Sequence, residues 1–280
     1  MPARKHVPPK GKRLSTKKKQ HITDVGKEVT HLLEQGTLDS LQKGAQLSRD
    51  HLKYQWDLYS ELAFQRNVIA KDLMDAISES CIEDYEFESW QRAIQWKYIN
   101  HPLCTIGSSK QYGGRFNIGE DISPARMLKT FSALYIAQDQ DTAKAEAFGS
   151  QVKQFSLSPS EVSLTNKRSY GCISISGELD RVIDLTNPSS LTKFIRLISK
   201  FTIPQSIVDS ASRLNLPSPT IINSKKLLLD SFLASDWRKE PAQCDIPANS
   251  QIFGQLAYEA GIDGILFESS KKTLFSDIPI

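Results

Sequence analysis

Between residues 112 and 149 the chain carries residue types that could grip an anion and steady a cation: two glycines beside an arginine, then a tyrosine, then a glutamate among alanines. Gly113 and Gly114 let the backbone take φ > 0 and come close to a ligand. They deliver Arg115, whose planar fork of donors suits a phosphate or pyrophosphate. Glu146 stands among Ala143, Ala145 and Ala147, and a carboxylate buried in such surroundings without a partner costs free energy. A paired or functional carboxylate is therefore expected there.

Those side chains need elements to hold them. Phe131 to Ala137 is short, apolar and partly alternating, which predicts a strand carrying Tyr135, and Asp139 to Thr142 should break it. A helix is expected to follow with Asp141 or Thr142 as N-cap, placing Glu146 one turn in, on a tightly packed face. Upstream, 83–88 reads as an acidic connector and 90–96 as a strand. Downstream, strands are expected at 151–157, 170–175 and 181–185, and helices at 189–202 and 205–214. Residues 251–261 read as a helix with Gly261 at C′, and 263–269 as a strand with a serine at its exit. Before the connector, helical spacing predicts segments at 23–33 ending at Gly36, then 38–47, and a long one from 48 to 80. The aromatic stripe of Trp56, Tyr59 and Phe64 on that last segment reads as core. No internal repeat is evident.

Composition narrows the classes. The 280 residues have an ordinary soluble composition, and no run of about 18 apolar residues predicts a membrane-spanning helix. The start, MPARKHVPPKGKR, has no apolar core of the kind a secretory signal needs, so a cytoplasmic protein is expected. Cys81, Cys104, Cys172 and Cys244 lack CxxC spacing and read as reduced thiols, with no zinc site and no metal expected. All five histidines lie at or before position 101, which argues against a Ser-His-Asp hydrolase. The net charge of +3 hides an asymmetry: residues 1–20 hold eight Lys or Arg and no acid, leaving 27 basic and 32 acidic side chains in the rest. That arm reads as a disordered tail that could contact nucleic acid or an anionic surface.

Four pieces in order resemble the RES domain, named for its arginine, glutamate and serine. They are Gly113-Gly114-Arg115-Phe116-Asn117; Ala133 to Ala137 followed by Thr142 to Glu146; Arg181 to Thr186; and Ala260 to Ser269. The resemblance covers about residues 90–275. It departs from the compact family pattern in the longer connection 118–130 and in the added segment 1–82. What it implies is an NAD-consuming fold related to ADP-ribosyltransferases, often a bacterial toxin whose antitoxin blocks the site. In that reading Glu146 orients ribose hydroxyls and stabilises the oxocarbenium-like sugar, Arg115 with Gly114 holds phosphates, and Tyr135 stacks on nicotinamide. Ser269, with Ser270 as its neighbouring alternative, bonds the dinucleotide. Arg92 is the choice for a second basic contact, with Lys97 competing.

The expected architecture is α+β, with a mixed, partly antiparallel sheet and flanking helices, ADP-ribosyltransferase-like. It divides into a tail at 1–20, a helical extension at 21–85 and an NAD-binding catalytic domain at 86–280. The leading expectation is cleavage of the nicotinamide N-glycosidic bond, with ADP-ribose passing to water or phosphate. NAD is then substrate, and a cognate antitoxin or immunity protein a partner; delivery to another cell stays open. Two alternatives stand beside it: mono-ADP-ribosylation of a protein acceptor, and a non-enzymatic nucleic-acid or partner-binding protein on a degenerate RES-like scaffold.

Overall fold

The computed structural model describes residues 35–122, 128–148, 170–187 and 189–269. The basic tail, the expected helix at 23–33, the expected strand at 151–157 and Ser270 lie outside the described residues. The chain divides into two compact units, Met1–Lys53 and Tyr54–Ile280.

In the first unit the described backbone is helical, the early part of α1 (Gln35–Val68). Its side chains from 43 to 50 are exposed and bond along the helix, Gln46 to Asp50 and Arg49 to Gln46, each at 2.8 Å. The segments expected at 38–47 and 48–80 thus form one helix as far as Val68 and a second, α2 (Ala70–Ser78), after a break at Ile69 (φ −115°, ψ 24°). Consecutive β-branched residues, Val68 and Ile69, restrict χ1 against the preceding turn and make this the weak point.

In the second unit, α2 belongs to the core, with Leu73 and Ile77 fully buried. It is followed by β1 (Cys81–Gln95), which pairs antiparallel with β4 (Tyr170–Asp184) from Cys81 opposite Ile183 to Gln95 opposite Tyr170. The short β5 (Gly264–Leu266) pairs parallel with β4, so the sheet order is β1-β4-β5. The fold is α+β with a mixed, partly antiparallel sheet.

Two expectations about strands change here. Residues 83–88 are strand, not connector: Tyr85, Phe87 and Trp90 are half-buried while the carboxylates between them are exposed, the alternation of a one-sided sheet. The register shifts between Phe87 and Trp90, where Ser89 takes φ 58°. Conversely, 131–137 forms no strand. One bridge, Ala137 with Gln91, joins it to the edge of β1. Two of its other backbone groups are met by side chains: Ala133 N donates to Ser108 Oγ at 2.8 Å, and Phe131 O accepts from Asn117 Nδ2 at 3.1 Å. The segments 170–175 and 181–185 are one continuous strand.

The helices are α3 (Gln140–Phe148), α4 (Thr192–Ile198), α5 (Gln205–Arg213), α6 (Lys225–Leu233), α7 (Lys239–Cys244) and α8 (Asn249–Glu259). The N-cap of α3 is Asp139, earlier than expected: its carboxylate accepts from Thr142 N at 2.8 Å. Gly261, one residue past the C-cap of α8, has φ 72°, the left-handed C′ conformation. Phe194, Phe232 and Phe253, from α4, α6 and α8, meet edge-on or tilted within the core, with Phe232 and Phe253 at 4.9 Å. Burying each such ring stabilises by about 1.5–3 kcal/mol.

Candidate functional site

The site is built on a six-residue hairpin. Gly113–Gly114 (β2) pairs with Asn117–Ile118 (β3), leaving Arg115 and Phe116 at the turn. Gly113 has φ 79°, and a Cβ there would meet Asn117 O at 2.2 Å, so only glycine fits. A Cβ on Gly114 would meet the Tyr135 hydroxyl at 2.5 Å, so this glycine makes room for the tyrosine.

Asn117, fully buried, ties the pieces together. Its Oδ1 accepts from Gly114 N at 3.1 Å and from Tyr135 OH at 2.9 Å, and its Nδ2 donates to Ser108 O at 2.9 Å and Phe131 O. The Tyr135 hydroxyl in turn accepts from Phe116 N at 3.0 Å. From α8, buried Gln251 donates to the carbonyls of Tyr112, Gly114 and Asn117 at 2.6, 3.1 and 3.2 Å. Gly254, one turn on, lets Phe116 O lie where a Cβ would come within 1.8 Å.

Arg115 is buried, 8% exposed. Its Nη1 donates to Phe232 O at 2.7 Å and Ala234 O at 3.1 Å, serving carbonyls that the end of α6 leaves without helical partners. The Trp237 ring lies 5.5 Å from its guanidinium carbon. Burial lowers its pKa; Glu146 and then Tyr135 oppose that, and Arg238 adds to it. Arginine remains a cation throughout. Burial pushes the Tyr135 phenol up to about 12 against the Phe116 N–H, Arg115 and Arg238, so it is a neutral donor at physiological pH.

Glu146 departs from expectation. It is exposed, and α3 turns Ala143 inward instead. The cost of burying a carboxylate therefore does not single it out; its position does. Ser269 Oγ donates to Glu146 Oε1 at 2.8 Å across 123 residues of sequence. Phe267, two residues earlier, packs on Phe116 at 4.9 Å and so fixes the exit of β5 against the hairpin. Arg115, Tyr135, Glu146 and Ser269, scattered over more than 150 residues, thus converge, with Gly114 beneath the tyrosine.

Arg92 is placed otherwise. Its guanidinium donates to Pro102 O and to Cys104 O at 3.1 Å, holding the loop after β1, and burial lowers its pKa. Lys97 lies 4.6 Å over the Tyr98 ring. Sequence reasoning overlooked Gln251 as the clamp, Asn117 as the knot, and the pair Trp237-Arg238. A glutamine on the apolar side of a helix, three residues before a glycine, was the available signal for the first.

An apolar cavity of about 270 Å³, lined in part by Leu62, Leu73, Phe194, Phe232 and Phe253, contains none of the four converging residues. Among the described residues no three of His, Cys, Asp or Glu are grouped to hold a metal, and no helix is long and apolar enough to cross a membrane.

Neither a curated protein nor a solved structure matches the chain. The family model of the RES domain matches residues 89–274, about two thirds of it, and that span contains the arginine, the glutamate and the serine brought together here. The chain belongs to the RES domain family.

Proposed function

We propose that the chain cleaves NAD at the nicotinamide–ribose bond and passes ADP-ribose to water or phosphate. The observation that carries this reading is the convergence of an exposed carboxylate, Glu146, with Ser269, Arg115 and Tyr135. As the C1′–N bond breaks, its electron pair moves to the nicotinamide nitrogen and neutralises the pyridinium, while the ribose takes on oxocarbenium character. A fixed carboxylate beside the ring stabilises that charge more in the transition state than in the ground state. Ser269 orients the carboxylate by its hydrogen bond. Water or phosphate then bonds to C1′ through oxygen, with a proton released when water attacks. The half-buried Tyr135, held through its hydroxyl, offers a rigid ring against which the nicotinamide can stack. A fold related to ADP-ribosyltransferases is part of the same proposal.

The decisive experiment follows nicotinamide release by the purified chain, with and without phosphate, beside Glu146→Gln. Turnover about 100-fold lower in the variant is expected; equal turnover would remove Glu146 from the mechanism. Phosphate dependence would distinguish phosphorolysis from hydrolysis. A toxin of this kind drains cellular NAD, so the parent and not the variant should arrest growth when expressed.

The exposure of Glu146 supports a second reading, in which a protein side chain replaces water as acceptor. Labelled NAD that becomes covalently attached to a protein, with little free ADP-ribose, would favour it.

A further inference from the structure

We infer that Arg238, not Arg115, grips the dinucleotide's pyrophosphate, and that Arg115 is a positioning residue beneath it; this rests on the NAD reading above. The two guanidinium groups share one aromatic ring. Arg238 lies 4.8 Å from the centre of Trp237 and Arg115 lies 5.5 Å from it. Their surroundings differ. Arg115 is 8% exposed and directs Nη1 to two carbonyls at the end of α6, where it fixes the chain just before Trp237. Arg238 is exposed, and its Nη2 donates to Gly113 O at 3.2 Å. That bond seats Arg238 on the first residue of the hairpin. Its charge also reaches Arg115 and Tyr135, so it belongs to the same site.

Among the described residues no carboxylate is seen in an ion pair with Arg238. An exposed, aromatic-stacked guanidinium of this kind is pre-organised for a phosphate oxyanion: the ring and the Gly113 carbonyl fix its plane, and the remaining donors of its fork point along that plane. A diphosphate bound there would lie beside Tyr135 and Glu146. The buried Arg115 supplies charge from below and holds the loop that presents Trp237-Arg238.

The test measures binding of ADP-ribose, ADP and adenosine to the full chain by calorimetry, for the parent, Arg238→Gln and Arg238→Lys. Arg238→Gln should weaken ADP-ribose and ADP about 10-fold or more and leave adenosine unchanged; Arg238→Lys should recover part of the loss, more at low salt. In turnover, Arg238→Gln should raise KM for NAD with kcat little changed, the signature of an interaction made equally in ground and transition states. ADP-ribose bound equally by the parent and Arg238→Gln would overturn the assignment and leave the NAD reading standing. Failure of the parent to bind ADP-ribose would overturn both. An equal loss for adenosine would mean that Arg238 acts by holding the hairpin, which also overturns it.

Discussion

The hairpin carrying Arg115 and the helix carrying Glu146 contribute to one site but are held in opposite ways. Around the hairpin, Asn117 and Gln251 are fully buried and bonded through both ends of their amides, and Gly254 allows backbone to touch backbone. Glu146 is itself exposed, and a hydrogen bond from Ser269 reaches it across the gap. The contrast separates scaffold from chemistry: the first region fixes positions through buried polar bonds that are expensive to break, the second presents a charge where a substrate can reach it.

Substitutions should divide along the same line. The largest effect on stability is expected for Gly254→Ala. Alanine in a helix normally gains about 1 kcal/mol over glycine, but here the new methyl would sit 1.8 Å from Phe116 O. The clash is with backbone, so a net loss of about 3 kcal/mol is expected in denaturant melts. A gain would show that the hairpin can slide away from α8. Gln251→Leu comes next: it strips three carbonyls of their donor and should cost about 2–3 kcal/mol.

Tyr135→Phe should cost about 1 kcal/mol, since it removes the acceptor of Phe116 N while Asn117 Oδ1 keeps its bond from Gly114. Its pH dependence has a definite sign. The folded phenol has its pKa raised from 10.0 to about 12, so its contribution is fully present below pH 10 and is lost as pH rises through 12. The parent should lose stability over that window more steeply than Tyr135→Phe; parallel curves would mean the phenol is not held neutral by the fold. The smallest effect on stability, within about 0.5 kcal/mol, is expected for Glu146→Gln, the variant with the largest expected loss of turnover. A strongly destabilised Glu146→Gln would erase the distinction between the two regions.

What was legible in the sequence was local. Glycines at 113, 114 and 261 marked positive φ or close approach because glycine takes such backbone without steric cost, and both φ values at 113 and 261 are positive. The apolar periodicity of 251–261 and the β-branched runs around 170–185 announced α8 and β4, since burial of one face is repeated every turn or every second residue. The order Arg115, Tyr135, Glu146, Ser269 was also visible in the chain. Charge obscured 83–88, where the alternation of Tyr85, Phe87 and Trp90 carried the strand signal beneath the carboxylates. At 131–137 the strand-like pattern was present, but pairing depends on a neighbour's backbone, and Ser108 and Asn117 took those bonds instead.

The sequence by itself determined where the glycines of the hairpin and of the α8 C′ turn lie, that α8 and β4 form, and which residue types the site contains, because each follows from sterics or from patterning within a few residues. Only the tertiary structure decided that Glu146 is exposed and bonded to Ser269, that Arg115 is buried against the end of α6, and that Arg238 stands exposed on the other cation's aromatic neighbour. Those outcomes depend on groups more than 100 residues apart competing for the same donors and the same space, and no local pattern records who wins.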